Sequence, residues 1–162
     1  MPKVAVPINE AYLPALEHEG RYLVLFGGAG SGKSVFAAQK VLLRVRHEPG
    51  ARILALRKVG KTLRGSVYQL LLDQIKALGA EGEWRVNKSE MRFTHYAGGE
   101  ILLAGVDDPE KLKSIQGITS AWVEEATELT AQDFAQLDLR LRGETAGYKQ
   151  IIATFNPIDE TH

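Results

Sequence analysis

The sequence predicts an α/β fold, a mostly parallel central sheet flanked by helices in three layers, with a β-hairpin added. Three observations carry this expectation. Apolar runs of strand length alternate with segments whose apolar residues recur at helical spacing, the order that builds parallel sheets. The first run, Tyr22-Leu23-Val24-Leu25-Phe26, meets the first helical segment through Gly27-Gly28-Ala29-Gly30-Ser31-Gly32-Lys33-Ser34. A hydrophobic content of 44% over 162 residues is enough for one sizeable core.

Residues 1–21 form a lead-in segment broken by Pro2, Pro7 and Pro14, with Tyr12 and Leu13 interrupting its polar character. The segment either leads into the first strand or packs over the base of a nucleotide. Tyr22 to Phe26 reads as a buried strand. Beyond the glycine-rich loop, Ala38, Val41, Leu42 and Val45 fall at helical spacing, and His47-Glu48-Pro49-Gly50 stops that helix. Ile53-Leu54-Ala55-Leu56 is the next strand. Leu63, Val67, Leu70, Leu71, Ile75 and Leu78 then share one helical face that ends at Gly79. Met91 to Tyr96 and Glu100 to Leu103 are β-rich runs joined by Ala97-Gly98-Gly99, a hairpin signal. His95 alternates with Phe93 and reads as a strand-surface residue without a role. Asp108-Pro109 opens a short helix, Asp as cap and Pro in the first turn. Ile118 to Val123 forms a strand that ends in Glu124-Glu125. Thr130 and Asp133 make a capping box for a helix carrying Phe134, Leu137 and Leu141. Gln150 to Phe155 is the last strand, closed by Asn156-Pro157. There is no internal repeat. The chain stops five residues past Pro157, which is expected of a fragment of a longer protein.

Composition narrows the class. Lys and Arg number 20 and so do Asp and Glu, so no global charge points to nucleic acid or membrane. There are no cysteines, hence no disulfide and no thiolate metal site. No apolar run approaches the roughly 20 residues that span a bilayer, and the N-terminus has no secretory core. The charges are segregated, however. Lys40 to Arg64 holds eight basic residues and one acid, whereas Asp107 to Asp133 holds seven acids and two lysines. As a block, the basic stretch can face a polyanion; taken singly, its charges are solvated side chains.

Gly27 to Ser34 fits the phosphate-loop spacing, glycine, four residues, then Gly-Lys-Ser. Glycines allow a tight turn that aims backbone N–H groups at phosphate oxygens, and the helix N-terminus favours the anion. In such a loop Gly27, Gly28, Ala29, Gly30, Ser31, Gly32, Lys33 and Ser34 contact the phosphates. Lys33 reaches the β- and γ-phosphates and Ser34 offers a hydroxyl to Mg²⁺. Hydrolysis needs a carboxylate for that cation and a group that polarises water. Glu124 and Glu125, at the end of an apolar strand, are candidates for these two roles. Thr154 and Asn156 end the last strand where open α/β sheets bind ligands, placed to register the γ-phosphate or simply to form a strand-to-turn junction.

These residues also carry a resemblance. Gly27 to Ser34, Ala55-Leu56-Arg57-Lys58 with Leu63-Arg64-Gly65-Ser66-Val67, Lys113 to Ile118, Ala121-Trp122-Val123-Glu124-Glu125-Ala126 and Thr154-Phe155-Asn156-Pro157 resemble, in order, the ATPase domain of the large terminase subunit of tailed double-stranded DNA phages. The resemblance implies a P-loop NTPase fold of the RecA or ASCE type over residues 1–162. It implies an ATPase that pumps double-stranded DNA into a procapsid in the cytoplasm of the bacterial host. Implied partners are the portal protein, the small terminase subunit and further copies of the chain in a ring. Glu124 becomes the metal carboxylate, Glu125 the catalytic residue, and Thr154 with Asn156 the coupling motif. The family's second, nuclease domain is not in this chain, so no DNA cleavage is expected of it.

The chain departs from the family at Ala29, where many members carry an arginine, and in having Glu-Glu rather than Asp-Glu. The cation for the transition state then comes from elsewhere: Arg140, Arg142, Arg57, Lys111 and Lys113 are the candidates, reaching a neighbour's site. Arg57 and Lys58 are also candidate contacts to DNA or phosphate. Two other functions fit a phosphate loop: a small-molecule kinase and a nucleotide-gated assembly module without turnover.

Overall fold

The central strands are apolar at almost every position, as expected of parallel strands covered on both faces. The computed structural model describes residues 8–145 and 147–157, so the prolines Pro2 and Pro7 and the chain end lie outside the described residues. Its strands are β1 (Tyr22–Phe26), β2 (Arg52–Arg57), β3 (Trp84–Asn87), β4 (Arg92–His95), β5 (Glu100–Gly105), β6 (Ser120–Glu124) and β7 (Gln150–Phe155). They form one seven-stranded sheet in the order β1-β7-β6-β2-β5-β4-β3. The pairs β1–β7, β7–β6, β6–β2 and β2–β5 are parallel; β4 runs antiparallel to both β5 and β3. β6 is buried at all positions, whereas β1, at the edge, alternates exposed and buried residues.

Helices cover the two faces. α1 (Leu13–Glu17), α2 (Lys33–His47) and α3 (Gln69–Ala77) belong to one side, where Leu23, Phe36, Val41, Leu42, Leu71, Trp122 and Ile152 form one core cluster. α4 (Pro109–Ser114) and α5 (Ala131–Arg140) lie on the other, over Leu54, Leu56, Ile118, Val123, Leu137 and Ile151. Each such side chain contributes about 1.5–3 kcal/mol when fully buried. The two start signals read in the sequence are realised. Asp108 accepts from the Lys111 amide at 3.2 Å, and Thr130 and Asp133 form a reciprocal capping box.

Three local features depart from the sequence reading. The second long helix opens with a π-helical turn, Arg64–Tyr68, in which the Tyr68 amide donates to the Leu63 carbonyl at 2.9 Å. The wider turn lets adjacent Val67 and Tyr68 both point inward. A second hairpin, β3–β4, turns through Met91 at φ +53°, so the antiparallel portion has one strand more than the glycine pair announced. His95 is not on the surface. It is 1% exposed, its ring nitrogen lies 2.9 Å from a Glu83 oxygen, and Trp84 meets it edge-on.

Glu83 also accepts from Arg46 at 2.8 Å, and both side chains are largely buried. Arg46, then His95, hold its carboxyl below the usual range against the opposing effect of burial. A depressed carboxyl adds stability above its unfolded pKa, near 4.3, and loses it as pH falls through the folded value. Glu83→Gln is therefore expected to lower unfolding free energy by about 3 kcal/mol at pH 7. The gap to wild type should narrow below about pH 4 in denaturant titrations.

Candidate active site

The glycine-rich loop bridges β1 and the N-terminus of α2. Gly30 and Gly32 have φ +81° and +83°, values that L side chains resist. Gly32 caps α2, and its carbonyl accepts from the Phe36 amide at 2.9 Å. The loop therefore presents backbone amides and the positive end of a 15-residue helix to the same space. The lead-in segment packs on this loop. The Tyr12 hydroxyl donates to the Ser31 carbonyl at 2.9 Å, and its ring stacks on Phe36 with centroids 4.9 Å apart. An aromatic inside a polar stretch was the only sequence sign of that contact.

Two bonds join the loop to the strand ends. Ser34 Oγ donates to Glu124 Oε1 at 2.8 Å, and Lys33 Nζ donates to Asn156 Oδ1 at 2.5 Å. They bring Lys33, Ser34, Glu124 and Asn156 into one constellation built from β1, β6, β7 and α2. Glu124 is 6% exposed. Burial raises its pKa, with the neighbouring Glu125 charge adding to the rise and the Ser34 and Thr154 hydroxyls and Lys33 opposing it. Its Oε2 is buried and has no hydrogen-bond partner among the described residues. A carboxyl oxygen left bare in such a place fits a cation ligand. With the Ser34 hydroxyl beside it, the pair suits Mg²⁺, which takes one or two protein oxygens and completes its shell from phosphates and water. Among the described residues no group of three or more His, Cys, Asp or Glu side chains could form a metal cage by itself.

Glu125 occupies the left-handed region at φ 54°, ψ 53°. Such a conformation costs a non-glycine residue about 1–2 kcal/mol. It turns the chain sharply after β6, so that half-exposed Glu125 follows buried Glu124 without continuing the strand. Thr154 differs from its expected placement at the phosphates. It is fully buried, and its hydroxyl accepts from the Trp122 indole at 3.0 Å; the polar group of the β7 end that meets the loop is Asn156.

The remaining candidates carry partners other than the members of this constellation. Arg57 pairs with Glu128 at 3.1 Å and Lys58 with Asp133 at 2.7 Å. Arg140 donates to the Leu112 carbonyl and Arg142 to the Leu139 carbonyl. Lys111 donates to the Glu90 carbonyl, and Lys113 is 3.7 Å from Glu110. Much of the basic block is internally neutralised too: Arg44 pairs with Glu48, Arg46 with Glu83 and Arg52 with Glu100. A cavity of about 280 Å³ between α4 and α5 is lined by Leu54, Leu112, Leu137, Lys113 and Arg140, and none of its lining residues belongs to the loop or the acid pair.

A family model described as phage terminase large subunit matches residues 19–162. The chain belongs to that family. It is 34% identical over 140 residues to the PBSX phage terminase large subunit of Bacillus subtilis, covering 86% of this chain and 32% of that protein. It is 34% identical over 115 residues to the terminase large subunit of Bacillus phage SPP1, covering 68% and 27%. The chain thus spans about a third of the length of the curated relatives it matches. Among solved structures, the large terminase of a thermophilic bacteriophage in complex with ADP superposes with a TM-score of 0.69 at 15% identity, covering 91% of this chain and 37% of that one. The Thermus phage P74-26 large terminase ATPase domain gives 0.64 at 15% identity, covering 86% and 61%. These likenesses identify the fold as that of terminase ATPase domains, in agreement with the P-loop fold read from the sequence.

In this terminase chain Gly32 is one of two left-handed glycines of the loop. A Cβ on Gly32 would meet only ordinary contact, Tyr12 at 3.7 Å, so the φ of +83° alone sets its effect. Gly32→Ala is expected to lower stability by about 1–2 kcal/mol. Tripolyphosphate is expected to raise the melting temperature of the wild type and not that of Gly32→Ala.

Proposed function

We propose that this chain hydrolyses ATP with Mg²⁺, and that it serves as the ATPase portion of a large terminase subunit that drives double-stranded DNA into a procapsid in the host cytoplasm. The observation that carries the reading is the Ser34–Glu124 hydrogen bond beside the bare Glu124 Oε2. The ADP complex of the thermophilic phage's large terminase supports the nucleotide assignment.

The residues divide the work. Amides of Gly28 to Ser34 bind phosphate oxygens, and Lys33 neutralises them after leaving Asn156. Ser34 and Glu124 would hold Mg²⁺, which when bound would supply neutralisation of charge on the phosphates. Glu125 orients water and accepts its proton. Asn156, released when Lys33 turns to the phosphates, carries the presence of nucleotide to the end of β7; Thr154, the other coupling candidate, is locked inside the sheet and supports the strand that carries it.

Ala29 leaves the loop without a cation of its own. Arg140 and Arg142 donate to backbone carbonyls, so either can be presented to the site of a neighbouring copy at little loss. A finger of this kind is worth about 10³–10⁵ in rate. The isolated chain is accordingly a slow ATPase, and a ring of copies on the portal protein, fed with DNA by the small subunit, is the fast one. Arg57 and Lys58 can exchange their carboxylate partners for DNA phosphates, because partly exposed pairs are worth only about 0–1 kcal/mol. A small-molecule kinase finds no support, since the apolar cavity lies away from the loop.

Single-turnover phosphate release tests the assignment. Glu125→Gln is expected to slow release by about 10²–10⁴ while ATPγS affinity stays near wild type. Lys33→Ala should lose nucleotide binding. Wild-type release by the Glu125 variant, or a phosphorylated small-molecule product, would contradict it.

A further inference from the structure

The hydroxyl of Thr154 is held more tightly than a phosphate-sensing group would be. It is fully buried, and Thr154 stands opposite Glu124 in the β6–β7 register. Trp122 and Glu124 alternate onto the same face of β6, so Trp122, Glu124 and Thr154 share that face. The indole of Trp122, also fully buried, donates to Thr154 Oγ1 at 3.0 Å. An indole N–H is donor only, so it occupies a lone pair of the hydroxyl and leaves the hydroxyl proton to point elsewhere. The proton goes to the end of β6, where the Val123 carbonyl accepts it at 3.2 Å. That carbonyl belongs to the peptide that leads into Glu124.

Glu124 needs such an anchor. Ser34 fixes only Oε1, and a carboxylate held at one oxygen turns about its terminal bond. The place of the bare Oε2 therefore depends also on the backbone at the end of β6.

Resting on the Mg²⁺·ATP reading above, we propose that Trp122 is a positioning residue for the metal site, acting through the Thr154 hydroxyl on the Val123 carbonyl to hold the backbone from which the Glu124 carboxylate projects. The tryptophan before the acid pair is then more than core filling. Its ring packs in the core cluster that the sheet shares with α2, and its N–H orients the hydroxyl that holds the peptide leading into Glu124. Partners that orient a metal ligand are typically worth about 10–100-fold in metal affinity.

The test measures Mg²⁺ affinity by calorimetry at saturating ATPγS, nucleotide affinity in EDTA, thermal melting, and the Trp122 indole N–H resonance, assigned by its loss in Trp122→Phe. Thr154→Val keeps shape and removes the hydroxyl; Thr154→Ser restores it. Trp122→Phe and Thr154→Val are each expected to weaken Mg²⁺ binding about 10-fold. Nucleotide affinity in EDTA should not change, Thr154→Ser should behave as wild type, and the double variant should be no weaker than either single one. The indole resonance should shift when Mg²⁺ joins the wild-type complex and not in Thr154→Val. Variants that melt earlier yet bind Mg²⁺ as wild type does, or whose effects multiply, overturn the proposal and leave the ATPase reading standing. Wild-type protein that binds neither ATPγS nor Mg²⁺ overturns both.

Discussion

The hydrogen bond from Ser34 to Glu124 is the constraint on which the site depends. It joins the first turn of α2 to the last residue of β6, two elements that are far apart in sequence. For it to form, the loop must place Ser34 in the first turn of α2, which requires Gly30 and Gly32 in a left-handed conformation. β6 must end at Glu124, which the left-handed Glu125 enforces. The sheet must also bring β6 within reach of α2, and it does so because β7 and β6 lie between β1 and β2, the strands that α2 connects. The carboxylate that results is buried, half satisfied and raised in pKa. That is a poor arrangement for stability and a good one for holding a cation.

Lys33 and Asn156 add a second tie with a different character. In the proposed function, Ser34–Glu124 joins parts that remain together when nucleotide binds. Lys33–Asn156 joins a cation to a neutral amide, a weaker partner than phosphate, and is therefore the bond that gives way. The two ties divide the strand ends into one that holds and one that responds. This division also accounts for Thr154, whose hydroxyl, locked between the Trp122 indole and the Val123 carbonyl, belongs with the part that holds.

Much of this was legible in the sequence for local reasons. The loop announces itself because only glycine takes its backbone angles, and Asp108-Pro109 and Thr130 with Asp133 announce helix starts because caps are made by neighbours. Glu124 and Glu125 stood out as polar residues closing an apolar strand. What the sequence hid depends on distant partners. Arg57 and Lys58 looked like free cations, but their carboxylates lie 71 and 75 residues away. His95 looked like a surface residue because Glu83 and Arg46, which make its burial tolerable, are on other elements. The π turn at Arg64–Tyr68 has the same apolar pattern as an ordinary helix and was invisible for that reason.

The most direct measurement is anomalous diffraction from crystals of the chain grown with ATPγS and Mn²⁺ in place of Mg²⁺. The expected result is one strong manganese peak between Ser34 Oγ and the Glu124 carboxylate, with Lys33 Nζ moved from Asn156 to the phosphates. A nucleotide bound away from Gly27 to Ser34, or a bound nucleotide with Lys33 still on Asn156 and the metal elsewhere, would contradict the site described.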